Sequence, residues 1–196
     1  EDIKPQKLVG TNKKDVLIAT SRRDTLLGGA GNDQLIGAVT DDPLKTFDDE
    51  GNFLSTRFFD GPGNDLIEPK EGFNFIVLGS GRNKLILPDS DNFLEDMNTI
   101  VIRNGKDRIF NFNSARDNID FDGIQSMAIS PFNNKRKALK NGDNVVIANK
   151  KIFYLNEGAS KFSKIKFINP VDFSRDSLLE NNSIIELNGF IPFDLF

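Results

Sequence analysis

A nine-residue spacing constrains this chain more than any other feature. With Asp33 of Gly28-Gly29-Ala30-Gly31-Asn32-Asp33-Gln34-Leu35-Ile36 placed at position six of a unit, steps of nine land on Asp24 and Asp15 before it and Asp42 after it. Leu17, Leu26, Leu35 and Leu44 hold position eight in the same register. An amphipathic helix needs apolar residues about every 3.6 positions, which this spacing does not supply. A short strand with its middle residue inward, entered through a tight glycine turn, does fit.

The register weakens at Thr46–Leu54, where Gly51 takes the Asp position and Phe53 points inward. It restarts five residues out of phase at Asp60-Gly61-Pro62-Gly63-Asn64-Asp65-Leu66-Ile67. Asn74 with Ile76, Asn83 with Leu85 and Asn92 with Leu94 continue it, and Asn98 with Ile100 and Asp107 with Ile109 echo it after a second slip. The first slip predicts an inserted bulge or loop near 54–59.

Composition decides what chemistry such turns can host. The chain has no Cys, His or Trp among its 196 residues, which excludes thiol nucleophiles, imidazole acid–base catalysis and nearly every zinc site. Asp89, Asp91 and Asp96 could serve a polysaccharide-acting β-helix, but no converging set of acids exists, so no catalytic residue is assigned and the chain is not expected to be an enzyme. Oxygen ligands from Asp side chains and turn carbonyls suit calcium. Residues 1–125 hold 22 acidic and 15 basic side chains, against 7 and 10 in the remainder, so cations are expected in the first part. Lys135, Arg136, Lys137 and Lys140 lack interleaved aromatics and read as a solvated face, with no nucleic-acid partner expected. No run reaches the roughly 18 apolar residues of a membrane span, and no leader opens the sequence at Glu1.

With these motifs the chain resembles the RTX (repeats-in-toxin) calcium-binding proteins, closely at 28–36 and 60–68 and more loosely over 10–95. The resemblance implies an all-β fold, a parallel β-roll or β-solenoid of nine-residue repeats, two units per turn, with calcium between turns, followed by a mostly antiparallel β cap. The roll is assigned to residues 1–97 and the β-rich capping region to 98–196. In such a roll units 18 residues apart stack, which sets turn 28–33 against 46–51. The implied ligands are Gly29, Gly31 and Asp33 with Asp48 or Asp49, and a second set at Gly61, Gly63 and Asp65, giving about one or two Ca2+ ions. On the other edge Arg22 and Arg23 face Asp41 and Asp42, so that edge is expected to be metal-free. Asp65 should stack on Asn83 and Asn74 on Asn92, as amide ladders that need no cation.

Thr99–Leu155 is expected as antiparallel strands closing the open end of the roll. Val145–Leu155 reads as a hairpin turning at Asn149-Lys150, 131–141 as a polar loop or short helix, and Ser174–Leu179 as a short helix. Phe110, Phe112, Phe121, Phe153, Phe162, Phe167 and Phe173 should build the core of the cap. The tail 188–196 is similar to the uncleaved export signals of members secreted in one step (type I secretion), or is a final edge strand.

The expected function is a secreted or cell-surface calcium-binding β-roll with a structural or adhesive role, calcium stabilising it outside the cell. Its partners would be calcium and a cell-surface glycan or another surface protein. The alternatives are a glycan- or ice-binding solenoid surface and a terminal module of a polysaccharide-modifying enzyme. Irregular outward residues (Val16, Thr25, Gln34, Pro43) speak against the flat ladder an ice or glycan surface needs.

Overall fold

The computed structural model describes residues 4–21, 23–38, 55–70, 72–89, 97–122, 124, 129–131, 133–155, 162–170, 173, 175–180 and 184–185. Two facing sheets take alternate strands of the chain. One runs β1 (Lys7–Val9), β3 (Thr25–Leu27), β5 (Ser55–Phe59), β7 (Phe73–Leu78), β9 (Met97–Ile102), β11 (Asn118–Phe121) and β15 (Ile184–Ile185), all in parallel. The other stacks β2 (Val16–Ile18), β4 (Gln34–Ile36), β6 (Leu66–Glu68), β8 (Lys84–Ile86), β10 (Arg108–Phe110) and β14 (Ser163–Ile168) in parallel. It then adds β13 (Lys151–Tyr154) and β12 (Val145–Ile147) antiparallel.

The period-two pattern inside each unit explains the strands. The middle residue of each three-residue strand enters the space between the sheets while its neighbours face out. Leu26, Phe58, Ile76, Ile100 and Ile119 line up on one side, and Leu35, Ile67, Leu85, Ile109 and Phe167 on the other, all essentially inaccessible. They belong to one core cluster that reaches from Ala19 to Leu178.

Stacking is not uniform. Leu17 pairs with Leu35 at the expected 18 residues, but Leu35 pairs with Ile67 and Leu26 with Phe58, 32 residues on. The surplus lies between β4 and β5, not at 54–59, since Ser55–Phe59 is itself a strand bonded on both sides, to β3 and to β7. Thr56 and Phe58 alternate inward there, a local signal that the count of nine overrode. A smaller surplus separates Asn74 from Asn98, which stands where Asn92 was expected.

The antiparallel region is also narrower than expected. From Thr99 on, β9, β10 and β11 extend the parallel sheets, and among the described residues only β12–β13 and the pairing of β13 with β14 beyond Leu155 are antiparallel. The β12–β13 hairpin turns at Asn149 and Lys150, both in the left-handed region (φ 50° and 54°), as a tight two-residue turn requires. Helix α1 (Lys135–Asn141) starts on the Asn134 side chain and ends at Gly142 (φ 82°), and α2 spans Arg175–Glu180. Phe112, Phe167 and Phe173 form a ring cluster with centroids 4.5–6.4 Å apart. Phe121 packs on Tyr154, while Phe110 and Phe153 lie under Lys84 and Lys135. No described helix is long and apolar enough to cross a membrane.

Candidate metal centre

Position six immediately precedes β2, β4, β6, β8 and β10, so its side chain turns back under the loop while its backbone joins the stack. On the edge leading into β2, β4, β6 and β8, each position-six N–H donates to the position-six side chain of the next turn, while the Asp107 N–H before β10 donates to the Lys164 carbonyl. Asp15 N–H bonds Asp33 Oδ1 (2.9 Å) and Asp33 N–H bonds Asp65 Oδ1 (2.6 Å). Asp65 N–H bonds Asn83 Oδ1 (3.0 Å), and Asn83 N–H bonds Asp107 Oδ1 (3.1 Å). Only one carboxylate oxygen is used at each Asp. Oδ2 of Asp33, Asp60, Asp65 and Asp107 is buried without a hydrogen-bond partner, a state that costs folding free energy unless something electropositive fills the place.

The glycines hold that place open. Gly29 and Gly61 sit at φ 91° and 83°, conformations that side-chain-bearing residues rarely adopt. A Cβ at Gly28 would lie 2.9 Å from Asp33 Oδ2, one at Gly61 would strike the Gly29 carbonyl, and one at Gly63 the Gly31 carbonyl. The Gly29 and Gly31 carbonyls thus face turn 60–65, and the Gly61 and Gly63 carbonyls face the turn that holds Gly79 and Gly81.

Electrostatics follow from this burial. Burial, with the Asp33 charge adding to it against one N–H bond, raises the Asp65 carboxyl to about 6. Burial takes Asp107 to about 7. It lifts Asp60 well above the carboxylate range, reinforced by Asp65 and Asp107.

The opposite edge is closed by hydrogen bonds. Asp24 Oδ2 accepts from Thr20 N–H (2.7 Å), the Thr20 hydroxyl and Ser21 N–H, and Oδ1 accepts from Gln6 N–H (2.7 Å) and the Ser21 hydroxyl. Although burial opposes it, this set holds the Asp24 carboxyl below its ordinary value. Farther along, Asn74 Nδ2 donates to Asn98 Oδ1 and Asn98 Nδ2 to Asp117 Oδ1. Asp24 is therefore satisfied by hydroxyls and N–H groups. The expected Arg22, Asp41 and Asp42 pairing lies outside the described residues.

Six of the eight candidate ligands come together. Gly29, Gly31 and Asp33 lie on one turn, and Gly61, Gly63 and Asp65 on the turn stacked directly against it. Asp48 and Asp49 lie outside the described residues, and the turn found against 28–33 is 60–65, not 46–51. Among the described residues no three acidic side chains converge as a metal cluster, so a cation here needs backbone carbonyls, which calcium accepts and the glycine turns present. The orphaned Asp oxygens beside them fit calcium: Gly29 and Gly31 through carbonyls, Asp33 and Asp65 through carboxylates. Asp60 and Asp107 lie outside the expected ligand set. Asp60's signal was an acid at a unit's first-glycine position.

No curated protein matches the chain. A family model for the RTX calcium-binding nonapeptide repeat matches residues 9–42 in four copies, the stretch that supplies turns 10–15, 19–24 and 28–33. Over those residues the chain is similar to RTX calcium-binding nonapeptide repeats.

Proposed function

We propose that the protein is a secreted calcium-binding β-roll whose role is structural or adhesive and whose folding is completed by calcium outside the cell. One observation carries this reading: Asp33 and Asp65, buried on adjacent turns, each keep an oxygen without a partner beside glycine carbonyls. Without a cation, neighbouring buried carboxylates repel and the short strands have a narrow core to set against that repulsion. Calcium at this place adds its binding free energy to folding.

The outward row of the second sheet reads Val16, Gln34, Leu66, Lys84, Arg108. Such a mixture gives no repeating surface for ice or a regular glycan, which favours the structural reading. A melt followed by circular dichroism, in excess chelator and in millimolar calcium, tests the proposal. The melting temperature should rise with calcium, and identical melts would overturn it.

A further inference from the structure

Turn 60–65 departs from turn 28–33 at two positions, with Pro62 in place of Ala30 and an acid in place of the first glycine. Where Gly28 opens the first turn, Asp60 opens the second, and its carboxylate is fully buried. Oδ1 accepts from the Gly79 N–H (2.6 Å) across the gap to the next turn. Oδ2 has no partner. The charges that bear on it, from Asp65 and Asp107, are negative. In the same gap the facing position six has lost its charge, being Asn83, whose Oδ1 takes the Asp65 N–H and whose amide donates to the Gly79 carbonyl. One carboxylate has been exchanged for an amide on one turn, and a glycine for a carboxylate on the other.

We propose that Asp60 is a calcium ligand that replaces the charge absent at Asn83, in a second cation site between turn 60–65 and the turn holding Gly79 and Gly81. The carbonyls of Gly61 and Gly63, which face that turn, complete its oxygen set. The proposal rests on the calcium-binding reading above. A buried carboxylate kept only for its hydrogen bond to Gly79 would be replaced without loss by an amide of the same shape, since Oδ1 alone makes that bond.

Equilibrium dialysis of the full chain against radiolabelled calcium, with calcium-dependent melts, separates the cases. Asp60→Asn keeps the acceptor and removes the charge, and Asp60→Gly restores the opening of the first turn. Each should bind one ion fewer than the wild type, with a smaller calcium-induced rise in melting temperature and no loss of chelator-state stability for Asp60→Asn. Asp33→Asn, which leaves this gap intact, should retain one ion. If the wild type binds calcium and both Asp60 variants bind the same number with the same affinity, the assignment of Asp60 is overturned and calcium binding stands. If the wild type binds none, both fall.

Discussion

Asp24 and Asp33 hold position six of consecutive nonapeptides and are both buried, yet their carboxylates meet different surroundings. Asp24 receives five hydrogen bonds, because Thr20 and Ser21 put two hydroxyls and two N–H groups into its turn and Gln6 adds a fifth donor. Asp33 sits among Gly28, Gly29 and Gly31, which contribute space and carbonyls, and one of its oxygens stays bare. The Asp is the same; the first residues of the turn decide between a self-contained loop and one that calls for a cation.

The largest effect that separates the edges should come from Asp24→Ala. It strips acceptors from three N–H groups and two hydroxyls and should cost about 3–5 kcal/mol. Urea unfolding should show the same loss in calcium and in chelator. A loss confined to calcium would mean that this edge also binds metal. Next in size is the calcium response itself. At a calcium concentration about 100 times Kd, one site adds ~2.7 kcal/mol. Asp33→Asn should remove most of that increment while sparing the Asp15 N–H bond, whereas Asp117→Asn, on the hydrogen-bonded edge, should leave it intact. Equal losses from the two variants would erase the distinction.

The inward residues of this difference were legible in the sequence, and its neighbours were not. Leu26, Leu35, Ile67, Ile76, Leu85, Ile100 and Ile109 can be counted inward because nine-residue spacing and strand alternation agree at each. The turn stacked on Asp33 could not be counted, because the surplus residues fall between β4 and β5, where Gly51 and Phe53 imitate a weak unit and carry the count of nine past the insertion. Strand direction in 99–121 was hidden for another reason. Alternation in Thr99-Ile100-Val101-Ile102 fixes a face but not parallel or antiparallel pairing, which depends here on each chain segment returning to the same end of the roll. The Asp24 hydrogen bonds are foreshadowed by Thr20 and Ser21, small donors within four residues of the acid, although the adjacent arginines carry the more conspicuous charge.

Acidity should expose a smaller contrast. Burial holds Asp107 at about 7 and Asp117 at about 6. Both lie above the ordinary carboxylate value, so their favourable contribution is complete below about pH 4 and is lost as pH rises through 6 and 7. Asp24 has the opposite sign: its carboxyl is lowered, so its contribution is present above about pH 4 and disappears on further acidification. Chelator-treated protein should therefore melt higher near pH 5 than near pH 8. Asp107→Asn should flatten the part of that slope nearest pH 7. A wild-type melting temperature that climbs from pH 5 to 8 in chelator would contradict the burial of these groups.

The smallest effect concerns the lysines on the edge that carries Asp33. Lys13 and Lys14 sit in turn 10–15, stacked against turn 28–33, and in sequence they look hostile to a cation. The structure leaves both side chains exposed, while the Lys13 carbonyl lies against Gly31. Asp15 Oδ2 is occupied locally by the Thr11 N–H and hydroxyl. A solvated ammonium at this distance is screened by water and salt and is worth at most about 0.5 kcal/mol. Lys13→Ala should therefore strengthen calcium binding by no more than about twofold at low salt, and the gain should vanish near 0.15 M salt, where screening is effective within about 8 Å. A gain of tenfold or more that survives added salt would mean that the lysine reaches into the site, and that the two edges differ by their cations as well as by their turn donors.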